Sequence, residues 1–167
     1  MSGKKPEVEK LIASNPARGD YFVETTVEAG ISLTGTEVKS LRQSSPNLRD
    51  SFVDIHPKST TRLEAWLLNM HIAPYTHGNL QNHEPLRKRK LLLHRHQIDQ
   101  LHGSLVRDGM TVIPLRFYFK AGKVKCELGV CKGKKREDKR QDVKKKSADR
   151  EIERVMKSSR RFGKGTK

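Results

Sequence analysis

Cysteine occurs only twice in the 167 residues, at Cys126 and Cys131. Five positions apart on one strand, the two would point to opposite faces of a sheet, so no disulfide between them is expected. A single C-x4-C pair is also a weak basis for a metal site. Long apolar runs are missing: none approaches the ~20 residues a membrane span needs. The first residues carry no apolar segment of a secretory signal, and Glu7 and Glu9 stand where a transit peptide would be poor in acids. A cytoplasmic protein with no membrane partner is expected. Apolar residues make up 34% of the chain and charged residues 32%, so the core must be small and confined to part of the chain. Catalytic patterns are absent too. There is no nucleophile elbow, no phosphate-cradling glycine loop and no HExxH. The acids Glu24, Glu28, Glu37, Asp50, Asp54 and Glu64 are scattered singly, whereas a metal-dependent nuclease needs them clustered. The spacing of His71, His77 and His83 fits no zinc pattern, and the histidines read as surface or ligand-contacting groups. No enzyme, cofactor or metal is expected.

Positive charge is abundant. Lys and Arg number 35 against 19 Asp and Glu, for a formal net charge of +16. That balance calls for an anionic partner, nucleic acid first and an anionic membrane surface second. The charge is uneven. Residues 132–167 hold 16 of the basic residues and only 6 acids. Up to residue 146 this tail has one sizeable apolar side chain, Val143, and cannot fold alone. Beyond it, Ala148, Ile152, Val155 and Met156 fall on one helical face, with acids early and cations late as the helix dipole prefers. A helix so short is marginal in water, so the tail is expected to be disordered when free and helical against a partner.

The remaining chain reads as short strands with two or three helices. Residues 1–16 are polar and read as a loose arm. Residues 21–26 alternate as a strand, 28–30 form a turn, and 31–33 form a second short strand. Thr34-Gly35-Thr36-Glu37 fits a capping box and opens a helix with Val38 and Leu41 inward and Lys39 and Arg42 outward. Strands are expected at 51–55 and 63–68, and a long loop at 74–90 ends in Arg87-Lys88-Arg89-Lys90, read as a phosphate clamp. Ile98, Leu101, Leu105 and Val106 form a helix stripe that Asp108-Gly109 stops. A hairpin over 111–131 turns at Ala121-Gly122, with Ile113, Leu115, Phe117 and Phe119 on one face and Pro114 marking an edge or bulge. These elements predict a mainly β, antiparallel OB-like barrel over 17–131 with flanking helices, followed by the basic tail over 132–167.

Several motifs, in order, resemble the SmpB family. They are Asp20-Tyr21-Phe22-Val23-Glu24, Glu28-Ala29-Gly30, residues 35–42 and Asn47-Leu48-Arg49-Asp50-Ser51. Residues 69–75, 85–93, Lys132-Gly133-Lys134-Lys135, Asp138-Lys139-Arg140 and the Val155-Met156 pair continue the match. The resemblance implies a barrel that binds the tRNA-like domain of transfer-messenger RNA. It also implies a tail that folds in the decoding centre and empty mRNA channel of a stalled ribosome, with elongation factor Tu delivering the complex. By position, the RNA-binding face would comprise Glu28, Lys39, Arg42, Asn79, Arg87, Lys88, Arg89, Lys90, Leu92 and His94, with Lys132, Lys134 and Lys135 at the tail's start. Asp138, Lys139, Arg140, Ile152, Val155 and Met156 would serve the ribosome-binding tail. The chain departs from the family at Glu137, where His or Tyr is common, and at His94, where some members have Asn. A monomer is expected. A generic basic RNA-binding or ribosome-associated protein is the alternative.

Overall fold

A computed structural model describes residues 9–78, 80, 82–135, 138, 141, 147–154 and 156. They fall into two units, residues 1–133 and residues 134–167. The first is a seven-stranded antiparallel sheet with a 3-10 turn and two α-helices. In chain order these are β1 (Lys10–Ser14), the turn Pro16–Asp20, β2 (Tyr21–Ile31), α1 (Gly35–Gln43), β3 (Phe52–Ser59) and β4 (Arg62–Leu68). β5 (Arg89–Leu92), α2 (Arg95–Arg107), β6 (Thr111–Lys120) and β7 (Lys123–Gly133) follow. The sheet order is β1-β6-β7-β2-β5-β4-β3.

The expected barrel is not closed. β3 comes within 8 Å of β6 between Cα atoms, so the sheet curls back on itself, but among the described residues β3 pairs with β4 alone. Both edges of β6 are already occupied, by β7 and by β1. The residues expected to be a loose arm thus supply, from Lys10 onward, the strand that fills the edge β3 would need. Pro57, which has no N–H to donate, and a register shift at 57–59 further blunt the outer end of β3.

The expected turn at 28–30 is also continuous strand. β2 runs unbroken from Tyr21 to Ile31 because it has partners on both sides there: Gly30 faces Lys125 of β7 and Leu92 of β5. A Cβ on Gly30 would lie 3.2 Å from the Leu92 Cβ, so the bare backbone is what lets β5 approach.

The hairpin β6–β7 turns at Ala121 (φ 49°) and Gly122 (φ 74°), the two positive φ values of a type I′ turn. The bulge signalled by Pro114 is present between Pro114 and Arg116. It splits the expected single face of β6. Ile113 and Leu115 pack with Cys131, Tyr21 and Val23 in a small cluster. Phe117 joins the main core with Val112, Cys126 and Leu128. Asn15, 4% exposed, secures the bulge: its side-chain amide donates to the Pro114 carbonyl (2.8 Å) and its N–H to the Leu115 carbonyl (2.8 Å). The two cysteines are free and lie in different clusters, on opposite faces of β7 as their spacing requires.

The main core lies inside the curl, with α2 closing one side through Leu101, which is buried, and Ile98 and Leu105, which are half-buried. Val106, expected in that stripe, is 68% exposed. α2 ends at Asp108, and Gly109 at φ 61° takes the left-handed position beyond it. Among the described residues no helix is long and apolar enough to cross a membrane.

α1 is capped as predicted: the Glu37 carboxylate accepts from the Thr34 N–H at 2.8 Å. Its buried face is Glu37, Ser40 and Leu41, while Val38 is only half-buried. Ser40 of that face and the neighbouring Thr36 hold the long loop. Ser40 donates to the Ala73 carbonyl (2.6 Å), and Thr36 meets the His83 ring nitrogen (3.1 Å).

In the second unit, residues 147–154 and Met156 are helical, where the periodicity placed a helix. β7 carries the first unit through Gly133, two residues past the expected boundary at 131.

Candidate nucleic-acid interface

β2 and β5 pair at only two positions, Gly30–Leu92 and Ile31–Leu91. Beyond that short ladder, and before α2 starts at Arg95, an open groove of about 690 Å³ remains. Glu28, Lys90, Leu92, His94, Gln97 and Lys125 line it. Three residues predicted for the RNA-binding face from distant parts of the chain, Glu28, Leu92 and His94, therefore meet in one place, joined by Lys90. Leu92 is 55% exposed, an apolar floor turned to solvent. His94 is the exposed N-cap of α2; its N–H donates to the Gln97 side chain (2.9 Å), and its ring stacks on His96 at 5.8 Å.

Glu28 is an acid on a face expected to bind an anion, and it is held among cations and a hydroxyl. Its carboxylate accepts from the Tyr118 hydroxyl (2.6 Å) and from Lys120 (3.1 Å), with Lys125 at 3.7 Å. The Tyr118 hydrogen bond, aided by the two lysines against a smaller burial effect, holds the Glu28 carboxyl below its ordinary range. Burial and the neighbouring Glu28 push the Tyr118 hydroxyl well up, so it stays a donor. Lys120 also meets Glu9 (3.5 Å), so the lysines and carboxylates here are matched, and the Glu28 carboxylate can accept from a base amino group or a ribose 2′-hydroxyl.

The basic run 87–90 does not form a free clamp. Arg89 is fully buried within the sheet. Its guanidinium donates to Glu37 (2.7 Å) and to the carbonyls of Met70 (2.6 Å), Arg87 (3.0 Å) and Pro85 (3.0 Å). Arg87 is half-buried and donates to the same carboxylate at 2.9 and 2.5 Å. Burial favours a neutral Glu37, but the hydrogen bonds from Arg87 and Thr34 and the charge of Arg89 outweigh it and lower its pKa. Glu37 is thus the buried counter-ion that closes the loop onto α1, as well as the helix cap. Period-two geometry explains why neighbours in the run differ: Arg89 and Leu91 point inward, while Lys88 stays outside and Lys90 is half-buried. Lys90 pairs with Glu64 (2.6 Å), and Lys88 sits 5.5 Å over the Trp66 ring.

Lys39 and Arg42 are exposed on α1 as predicted, but neither lines the groove. Lys39 lies 5.6 Å over the Tyr75 ring, and Arg42 borders a separate depression with Lys10 and Phe119. Lys132 is exposed at the end of β7, opposite Phe22. Lys134 and Lys135 belong to the second unit, where the Lys135 N–H donates to Asp138 (3.1 Å). Ile152 and Met156 are 55% and 63% exposed. Asn79, Glu137, Lys139, Arg140 and Val155 lie outside the described residues. Lys120, Lys125 and Tyr118 were missed by sequence reasoning, although alternation along β6 and β7 already set the last two opposite Phe117 and Cys126. Among the described residues, no three His, Cys, Asp or Glu side chains cluster as metal ligands.

The fold and groove define a small antiparallel β protein with a groove of paired charges and exposed apolar surface and a basic C-terminal extension. The family model described as SmpB protein matches residues 12–158. The SsrA-binding protein of Lysinibacillus sphaericus is 51% identical over 154 residues, spanning 92% of this chain and 96% of that protein. The SsrA-binding protein of Pelobacter propionicus is 53% identical over 154 residues, with 92% and 98% covered. A chain from the structure described as "tmRNA-SmpB: a journey to the center of the bacterial ribosome" aligns with a TM-score of 0.60 at 41% identity, over 83% of this chain and 95% of that one. The chain belongs to the SmpB family.

Proposed function

We propose that this protein binds the tRNA-like domain of transfer-messenger RNA and brings it to stalled ribosomes for trans-translation. The observation that carries the reading is the convergence of Glu28, Leu92 and His94 with Lys90 and Lys125 in one groove of the β2–β5 split. Relatives about half identical over most of the chain are SsrA-binding proteins, and the aligned structure is that of a tmRNA-SmpB assembly in the ribosome. The body recognises the shape and 2′-hydroxyls of the RNA through groove and cation contacts and performs no catalysis. The tail engages the decoding centre and mRNA channel through Ile152, Val155 and Met156. Asp138, Lys139 and Arg140 guide accommodation, and Asn79 joins the body contacts. Elongation factor Tu delivers the complex in the cytoplasm.

The test is a salt titration of binding to transfer-messenger RNA beside an ordinary tRNA. Selective binding that survives moderate salt supports shape recognition. Equal binding to both that collapses together leaves only a generic basic RNA-binding protein. Because β7 extends through Gly133, the matching truncation removes 134–167. It retains RNA affinity and loses ribosome rescue, and loss of selective affinity in this truncation would refute the division of labour.

A further inference from the structure

The outward face of the sheet continues past the groove. Strand pairing sets Phe52 opposite Leu68 and Asp54 opposite Trp66, and on its other side Trp66 faces Lys90. These side chains lie on the face opposite to the buried Val53, Ala65 and Leu67. On a solvent-facing surface such positions are ordinarily polar. Here Phe52 is 37% exposed, Trp66 and Leu68 are half-buried, and the ammonium of Lys88 sits 5.5 Å over the Trp66 ring. Of the acids nearby, Glu64 is held by Lys58 (3.0 Å) and Lys90 (2.6 Å), and Asp54 meets the His56 ring nitrogen at 3.0 Å.

We infer that the Phe52–Trp66–Leu68 strip, edged by Lys88 and Lys90, is a stacking platform for an unpaired base of the RNA held in the groove. This rests on the RNA reading above. Two features choose the occupant. Lys90 both lines the groove and neighbours Trp66 on the next strand, about 4.8 Å away in a sheet, so the platform is the groove's direct continuation. Aromatic rings flanked by lysines also offer the π-face and cations that single-stranded nucleic acid uses without base-specific hydrogen bonds. Three side chains suit the area of a base, whereas a stable protein partner needs about 800 Å² per side. The lysine over the ring keeps its face covered until a base displaces it, its charge then meeting the adjacent phosphate.

Trp66 is the only tryptophan in the chain, so its fluorescence reads this site without any substitution. The full chain is titrated with the tRNA-like domain of transfer-messenger RNA carrying a distant fluorophore. RNA anisotropy reports binding, while Trp66 emission and its acrylamide quenching report the platform. The expected result is that emission falls and acrylamide access drops with the same midpoint as the anisotropy. Trp66→Leu, checked for an unchanged circular dichroism spectrum, weakens binding roughly tenfold, the effect of one stacked base. Trp66→Phe keeps most of the affinity, and Lys88→Ala lowers the salt slope by about one. Tight binding by anisotropy with unaltered Trp66 emission and acrylamide access would overturn the platform and leave the RNA reading standing. Quenching that appears only when ribosomes are added would equally overturn its assignment to the bound RNA. No binding by anisotropy would overturn the RNA reading itself, and the platform with it.

Discussion

Replacing Glu37 by Gln keeps the shape of the side chain and removes its charge. In the folded protein that carboxylate is fully buried and accepts from Thr34 N–H, Arg87 and Arg89. The substitution leaves Arg89, also fully buried, without its counter-ion and Arg87 without its anchor. Breaking a buried pair by neutralising one partner costs roughly 3–5 kcal/mol, because the remaining charge stays desolvated. Against a typical domain stability of about 5–15 kcal/mol this is a large fraction. It should lower the melting temperature by roughly 10–20 °C. The control is Glu64→Gln. Glu64 also pairs with two cations, Lys58 and Lys90, both partly exposed, and such solvent-screened pairs contribute little. Thermal and urea melts by circular dichroism read both variants. Equal, small losses for the two would refute the reasoning that Glu37 is the buried counter-ion closing the 74–88 loop. The double change of Glu37 to Leu and Arg89 to Met should recover only part of the loss. It removes the unpaired charge of Arg89, but it orphans the carbonyls of Met70, Pro85 and Arg87, at about 1–3 kcal/mol for each one left buried.

Acid should unfold the body through the same group. The folded protein holds the Glu37 carboxyl below its unfolded value, so its contribution is complete above the ordinary carboxylate pKa of about 4.3 and is lost as pH falls through the lower folded value. A pH series of urea melts should show the loss in wild type and a flatter profile in Glu37→Gln. Ala121 occupies a positive φ that favours Asn, and Ala121→Asn should stabilise the β6–β7 turn by about 0.5–1 kcal/mol in thermal melts; destabilisation would contradict the type I′ assignment. A Cβ on Gly129 would sit 2.9 Å from Leu115 Cγ and Cδ1, beside the bulge. Gly129→Ala should cost about 1–3 kcal/mol by urea melt, and a neutral result would mean that the bulge cluster is loosely packed.

Short-range signals in the chain were sufficient for everything governed by neighbours. The Thr34–Glu37 box placed the start of α1, because a cap needs only residues three apart. Ala121-Gly122 placed the hairpin turn, and Pro114 signalled an edge or a bulge, of which the bulge is present because β6 is paired on both sides. The basic residues crowd after 131, and β7 ends at Gly133. The motifs at 28–30, 35–42 and 85–93 identified the family.

Tertiary structure decided what depends on distant partners. Within one basic run, Arg89 became a buried structural ion and Lys88 a surface cation. Their local sequence is equivalent, and the difference comes from β5 joining the sheet and from Glu37, which lies on α1. Glu28, Leu92 and His94 became one site only when β2 met β5 and parted from it. Lys10–Ser14 looked like a loose arm because a strand of mostly exposed residues gains its stability from the edge of β6, not from its own pattern. By taking that edge, it also left the sheet curled rather than closed. Trp66 alternates correctly as a strand residue, but which face of that strand meets solvent is set by what packs on the other. Burial of a charge, closure of a sheet and the exposure of a ring are properties of pairs of segments. The residues of one segment cannot specify them until the chain has brought the second into place.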